Sequence, residues 1–515
     1  MCRPYAVSLP FIVASALLLA VAPVAAGQVA TATSSQATAV VSSDRIQAHM
    51  TVLAADEMEG RETGMRGFDR AARYVASEFG RLGLTPLSQG YLQRMSLRRA
   101  RVDEARSFLV IDRNGTRESL VYGKDFVTYG TTSATDVTVT GECVFVGDGV
   151  TVPSQDIDAY RGLEVLGKIV VAAPGAPASL TPSEKSFLDN VKGKAENAAR
   201  HGAAALIVLD DAPWELRVRA AHQLGATAWL PEPASNKVKA VVYMSRSAAA
   251  RLFGRRVDPE TGKVGAVLGK ASLRVRNVLR TVRSANVSAV LRGSHPRLSQ
   301  EHVVITAHLD HVGIGTPVRG DAIYNGAVDN ASGVAALMTI AQALSSLPAK
   351  PARSIIFVAT TAEEQGELGS DYFVHHPPVP LEEIVASVNI DGISFTDFQD
   401  IEAGGGSDSW LGVGAQAAGA RLGLHVTNTS IGLGGSDHSP FLEAGIPALW
   451  IFAALSDDWM KTRYHTPQDD MTQPLDFGPA VRYTQFVYET TLSIAQAQER
   501  PRWNPGVAWS QNQRR

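Results

Sequence analysis

Four apolar runs in the C-terminal half of the chain, at 303–305, 355–358, 384–390 and 448–452, are mostly continuous rather than alternating. A strand with one wet face alternates polar and apolar residues. A continuous run marks a strand buried on both faces, as in a largely parallel sheet covered by helices. A helical face at Val334, Leu337, Met338 and Ala341, within a helix expected over about 332–347, joins the first two runs. Strand, helix, strand in this order predicts an α/β fold with a doubly wound mixed sheet.

The rest of the chain is organised around that sheet. Its 515 residues exceed one ordinary core, so more than one domain is expected. Residues 1–26 read as a secretory signal. Arg3 supplies a thin basic start, Val7 to Val21 are apolar apart from Ser8, Pro10 and Ser15, and Val24-Ala25-Ala26 offers small residues for cleavage. Residues 27–43, rich in Ala, Thr, Ser and Val without period, read as a mobile linker. From Asp44, which can cap a helix through Ile46 and Met50, two helices are expected. The second carries Phe68, Ala72, Val75, Phe79 and Leu82 on one face and stops at Gly83. Residues 44–131 are assigned to the first domain. Strands expected at 137–146, 165–172, 204–209 and 239–243, with a helix over about 184–201, make residues 132–283 an inserted, smaller, β-rich α/β domain. Residues 284–498 complete the main domain, and 499–515 form a tail. Cys2 leaves with the signal, and Cys143, in ECVFVG, reads as a buried thiol rather than a nucleophile. A net charge of −3 without a basic stripe argues against nucleic acid. No stretch after the signal is long enough to anchor the chain in a membrane.

Carboxylates and histidines sit at or just beyond the ends of the apolar runs, where an open α/β sheet presents its chemistry. His308 closes a run in AHLDH. Asp310, two residues on, points the same way along an extended backbone and can fix the imidazole tautomer. By the same alternation His311 faces away and is disfavoured as a ligand. Asp329, in AVDNASG, is either a helix cap or a carboxylate shared by two metals. Glu363 and Glu364, in TTAEEQG, follow the run at 355–358. Adjacent side chains diverge, so Glu364 is assigned as a ligand and Glu363 as a general base; the alternative is a solvated surface pair. Asp391 ends the run at 384–390, as a ligand or as a turn residue. His465 lies in YHTPQDD, and Tyr464 beside it either packs or donates its phenol to a developing oxyanion. Two imidazoles with three carboxylates fit a pair of divalent metals, zinc best, with manganese and cobalt not excluded. There is no HExxH helix site and no GxSxG elbow.

In this order AHLDH, AVDNASG, AEEQG, NIDG and YHTPQDD resemble the M28 family of dinuclear zinc aminopeptidases. EGRETGMRG, GGSDHSPF and GIPALW are also similar to segments of that family, so the resemblance runs from about Asp44 to Gln498. It implies a zinc-exopeptidase fold and peptide substrates. It implies one metal on His308 and Asp391, the other on Glu364 and His465, and Asp329 as the bridge. Asp310 would orient His308, Glu363 would be the base, Tyr464 would stabilise the tetrahedral intermediate, and His438 would line the substrate pocket. YRGLEVLGKIVVAAPG and ENAARHGAAALIVLDD give the insert a likeness to a protease-associated (PA) domain. The function implied is an exported aminopeptidase, periplasmic or secreted. Two alternatives stand beside it. A carboxypeptidase or dipeptidase of the same family would need an arginine cluster, for which only Arg319 and Arg463 lie near. A metal-free binding scaffold would predict broken ligands, and every ligand position is intact.

Overall fold

In the computed structural model, the structure describes residues 40–507 apart from 89, 181–184, 186–187, 211–212, 224, 231–236, 259–260 and 454. The expected signal segment and most of the expected linker lie outside the described residues. The linker's last residues do not match the mobile reading: Val41 is buried in the core and Ser43 opens the first helix. That helix, α1 (Ser43–Leu53), has Ser42 at its N-cap, so Asp44 lies in its first turn rather than at the cap. The second, α2 (Arg66–Arg81), turns Phe68, Ala72, Val75 and Phe79 inward, and the chain leaves it through Gly83 at φ +70°.

Besides the short segments Thr85–Pro86 and Ala226–Leu230, which also pair into it, the main sheet has, among the described residues, eight strands: β1 (Leu92–Val102), β2 (Val267–Leu291), β3 (His302–His308), β4 (Ser354–Thr360), β5 (Ile384–Asp391), β6 (Asp400–Gly404), β7 (His425–Thr429) and β8 (Ala448–Phe452). Their spatial order is β1–β2–β4–β3–β5–β8–β6–β7. The neighbours of β3, and the β5–β8 pair, are parallel, while β2 runs antiparallel to β4. Each central strand feeds two cores in alternation. Val303, Ile305, Ala307, Ile355 and Phe357 face a core shared with α1, α2, α3 (Gly333–Ser345) and α4 (Phe477–Gln496). Val304, Ile356 and Val358 face the opposite core, with Phe373, Phe441 and Trp503. This two-sided burial is why the runs read as continuous, and the doubly wound mixed sheet is as predicted.

A second pair of cores lies in residues 102–275. Strands Ile169–Ala172, Ala205–Leu209 and Ala240–Met244 are parallel there and are flanked by helices such as Val191–Arg200 and Arg246–Phe253. Leu109, Ile111, Leu120 and Phe126, which precede the expected start at 132, also belong to it. Cys143 is fully buried, and burial pushes its thiol up to about 12. The two units share one strand. Residues 267–276 of β2 pair within the second unit, and residues 277–291 pair with β1 and β4 of the main sheet. The boundary expected at 283/284 therefore falls inside a continuous strand.

Candidate metal centre

The carboxyl ends of β3, β4 and β5 converge, because parallel neighbours in register finish at the same edge. His308 is the last residue of β3 and Asp391 the last of β5, while Glu363 and Glu364 follow β4 by three and four residues. Asp329 sits in an irregular turn before α3, and His465 lies in a loop at φ +53°. All five predicted ligands come together. His308 Nε2 is 3.2 Å from Asp329 Oδ1 and 3.1 Å from Asp391 Oδ1. His465 Nε2 is 3.2 Å from Asp329 Oδ2 and 3.0 Å from Glu364 Oε2. The two oxygens of Asp329 thus face two different donor sets.

The donor chemistry fits a cation. His308 Nδ1 lies 3.1 Å from the Asp310 backbone carbonyl, which can only accept, so Nδ1 carries a proton. In a neutral ring, the Nε2 lone pair then points at two carboxylate oxygens. That arrangement is repulsive unless a cation stands between them or the ring is doubly protonated. Four carboxylates, of Asp329, Glu363, Glu364 and Asp391, crowd this largely buried space, Asp391 being the most exposed of them. Imidazole and carboxylate together suit zinc. Among the described residues, two sets of His, Asp and Glu could each hold a metal ion, one of them His308, Asp329 and Asp391.

The titration of these groups follows from the same crowding. Burial opposes charge on His308, but Glu363, Asp391 and Asp329 hold its imidazole well above the ordinary range. Burial likewise opposes charge on His465, yet Glu364 and Asp329 raise it to about 10. Asp329 stays well below the usual carboxylate range against its burial, through His311, His308 and His465. Glu364 falls to about 2 beside His465. Glu363 goes the other way: burial first, then Asp391 and Glu364, push it well up despite His308, whose Nε2 is 3.9 Å away. The two adjacent glutamates are thus driven in opposite directions by their surroundings. Tyr464 is pushed up by burial and then by the surrounding carboxylates, and its ring stacks on His465 at 3.9 Å.

Three expectations need correction. Asp310 contacts His308 through its backbone carbonyl, not its carboxylate. The carboxylate instead accepts from the backbone N–H groups of Glu363 (3.1 Å) and Glu364 (3.3 Å), and burial raises it to about 7. His311 does not face away. β3 ends at His308, so the period-two alternation stops there, and the ring turns back with Nδ1 2.7 Å from Glu364 Oε1. His438 is fully buried, bonded through Nε2 to the Gly432 carbonyl (3.1 Å) and stacked on Trp450 at 4.9 Å, so it lines no open pocket.

Two supporting residues escaped the sequence reading. Arg61, in the EGRETG segment, is fully buried and donates to the carbonyls of Leu53, Leu309, Asn325 and Gly326, tying the β3 loop to the Asp329 loop. Burial lowers it to about 10, against the pull of Asp329 and Asp469. Asp469, in YHTPQDD, accepts from the backbone N–H groups of Val328 (2.9 Å) and Asp329 (3.0 Å). The quoted motifs contained both residues, but nothing in their spacing separated a loop clamp from a ligand. A groove of about 750 Å³ opens beside the centre between the two units. Its lining includes Gln365, Glu367, Asp371 and Glu443, with Trp229 bonded to Asp371 and Lys192 paired with Glu443.

Residues 286–491 match the description of Peptidase family M28. That stretch is similar to the M28 peptidases. All five convergent ligand positions lie within it. Aminopeptidase YwaD of Bacillus subtilis is 26% identical over 300 residues, covering 56% of this chain and 60% of that protein's length. A glutamate carboxypeptidase 2 homolog of Caenorhabditis elegans is 28% identical over 213 residues, 35% of this chain and 25% of that protein. The match thus spans less than two thirds of either relative. Among solved structures, an aminopeptidase from Aneurinibacillus sp. strain AM-1 superposes with a TM-score of 0.58 at 21% identity, covering 90% of this chain and 97% of that one. That likeness shows a shared fold that runs through both units.

Proposed function

We propose that this chain is an exported zinc aminopeptidase that removes N-terminal residues from peptides. One observation carries the reading: Asp329 presents one oxygen to His308 and the other to His465. His308, Asp329 and Asp391 would hold one zinc, and Asp329, Glu364 and His465 the other. Bound zinc lowers the pKa of a water and polarises the scissile carbonyl. The side chains supply the rest. Glu363, its affinity for protons raised by burial and neighbouring carboxylates, takes the proton of the attacking water and returns it to the leaving amine. Asp310 fixes the turn that separates Glu363 from Glu364 and, through its carbonyl, the His308 tautomer. The Tyr464 phenol, still protonated at neutral pH, donates to the oxyanion.

The inserted unit, read as PA-like, walls one side of the groove and would contact the peptide beyond its first residues. Export rests on the sequence of residues 1–26, and among the described residues no helix is long and apolar enough to cross a membrane. The carboxypeptidase reading has the Caenorhabditis relative in its favour. Against it, Arg463 is committed to the Gln468 carbonyl (3.0 Å) and Arg319 stands exposed in a turn. Zinc content of the purified protein, measured with hydrolysis of aminoacyl-p-nitroanilides and of N-blocked dipeptides, tests the proposal. About two zinc per chain with chelator-sensitive release of p-nitroaniline is expected. Cleavage of blocked dipeptides alone would replace it with the carboxypeptidase reading.

A further inference from the structure

His311 belongs to neither donor pair that the motifs predict, yet it is fully buried and turned toward the Glu364 side of the centre. Its Nδ1 lies 2.7 Å from Glu364 Oε1 and 3.8 Å from Asp329 Oδ2. His465 Nε2 completes the set at 3.0 Å from Glu364 Oε2 and 3.2 Å from Asp329 Oδ2. A tetrahedral zinc with bonds of about 2.1 Å holds its donors about 3.4 Å apart. The observed spacings of 2.7 to 3.8 Å bracket that value. On the other side of Asp329 there are three donors, from His308, Asp329 and Asp391.

The ring is seated deliberately. At Gly326, φ is +58° and a Cβ would come within 2.5 Å of the His311 ring, so the ring occupies space that only glycine leaves. The Gly326 carbonyl is itself held by Arg61, whose own carbonyl lies 3.3 Å from the His311 backbone nitrogen. His465 meets the ring edge-on at 5.5 Å. Nε2 has no hydrogen-bond partner among the described residues, so Nδ1 is the nitrogen with work to do.

We propose that His311 is a fourth protein ligand of the metal held by Asp329, Glu364 and His465, and that the two metals are therefore held unequally. This rests on the two-metal reading above. Four side chains close a coordination shell, whereas three leave a position open for water and substrate. The Glu364-side ion is the tightly held partner, and the His308-side ion the exchangeable one.

Zinc titration against a competing chelator, with cobalt-substituted absorption spectra and imidazole counting by X-ray absorption, tests this on the wild type, His311→Ala and His311→Gln. Circular dichroism checks the fold of each variant. Two-step metal uptake is expected for the wild type. Both variants should bind the tighter ion about 100-fold more weakly or worse, since even residues behind the ligands shift affinity 10- to 100-fold. The single-cobalt spectrum should change and one imidazole should be lost. Variants that fold and keep both affinities and the spectrum overturn the assignment. Weaker binding with an unchanged spectrum and imidazole count also overturns it, making His311 a hydrogen-bond donor to Glu364 instead. A folded wild type that binds fewer than two metals would instead strike at the two-metal reading itself.

Discussion

Glu363 and Glu364 are chemically identical neighbours driven to opposite protonation behaviour. Glu364 lies within 3.0 Å of two imidazoles, while Glu363 has His308 at 3.9 Å and, beyond its burial, three carboxylates, Asp391, Glu364 and Asp437, working against its ionisation. Glu363→Gln should therefore lower turnover by about 10² or more and leave the metal content at the wild-type value, as steady-state kinetics and elemental analysis would show. Arg61 calls for a different experiment. Its guanidinium satisfies four buried carbonyls, and Arg61→Met would leave them bare, at a cost of roughly 3 kcal/mol or more in denaturant unfolding. His308, Glu364 and Asp391 were legible because each ends or follows an apolar run; Asp329 and His465, on irregular backbone, were legible only through the motifs that carry the family resemblance. His311, Arg61 and Asp469 were not, because each acts from irregular backbone, where no period says which way a side chain turns.

The central strands β3, β4, β5 and β8 were legible to within a few residues, since burial on both faces removes polar residues from them, whereas β1, β2, β6 and β7, with polar residues facing outward, were not read as strands. Loop geometry was not. Alternation was carried past His308 into AHLDH, where the strand had already ended. Packing between elements was hidden as well. A Cβ on Gly67, in the first turn of α2, would sit 1.9 Å from the Met58 carbonyl in the segment that delivers Arg61. Gly67→Ala should cost about 1 to 3 kcal/mol by thermal unfolding and loosen metal binding with it. His438, the residue before the helix that begins at Ser439, is buried against Trp450, and burial lowers its imidazole to about 4. Its folded pKa lies below the unfolded 6.5. The stability it contributes is complete above pH 6.5 and is lost as pH falls through 4, on the order of 3 kcal/mol in all. Thermal midpoints recorded with chelator across that window should fall in the wild type and fall less steeply in His438→Gln. Equal slopes would assign the acid lability to other groups, such as His302 at the head of β3, which burial also lowers to about 4.

For the molecule as a whole, the buried carboxylates of the centre repel one another until cations neutralise them. Ligand binding to the folded state alone stabilises it by mass action, about 4 kcal/mol when free zinc exceeds its dissociation constant a thousandfold. Calorimetry with and without chelator should show the midpoint dropping on metal removal, and more for the main unit than for the insert if the two unfold separately. The insert's existence was legible from its texture, but its edges were not. The chain enters it through strands that look like any others and leaves it in the middle of β2. A salt bridge from Lys192 to Glu443 (2.8 Å) also crosses between the units.

That undivided strand has an evolutionary corollary. In an extended chain, a one-residue deletion reverses which face every later side chain presents. Loss of a single residue near Arg280 would leave residues 267–276 in their sheet while turning Val287, Ala289 and Leu291 out of the main core. The insert can be lengthened, shortened or swapped at its entry, where loops absorb the change. At its exit it can be exchanged among relatives only by recombination that conserves the chain count to the residue.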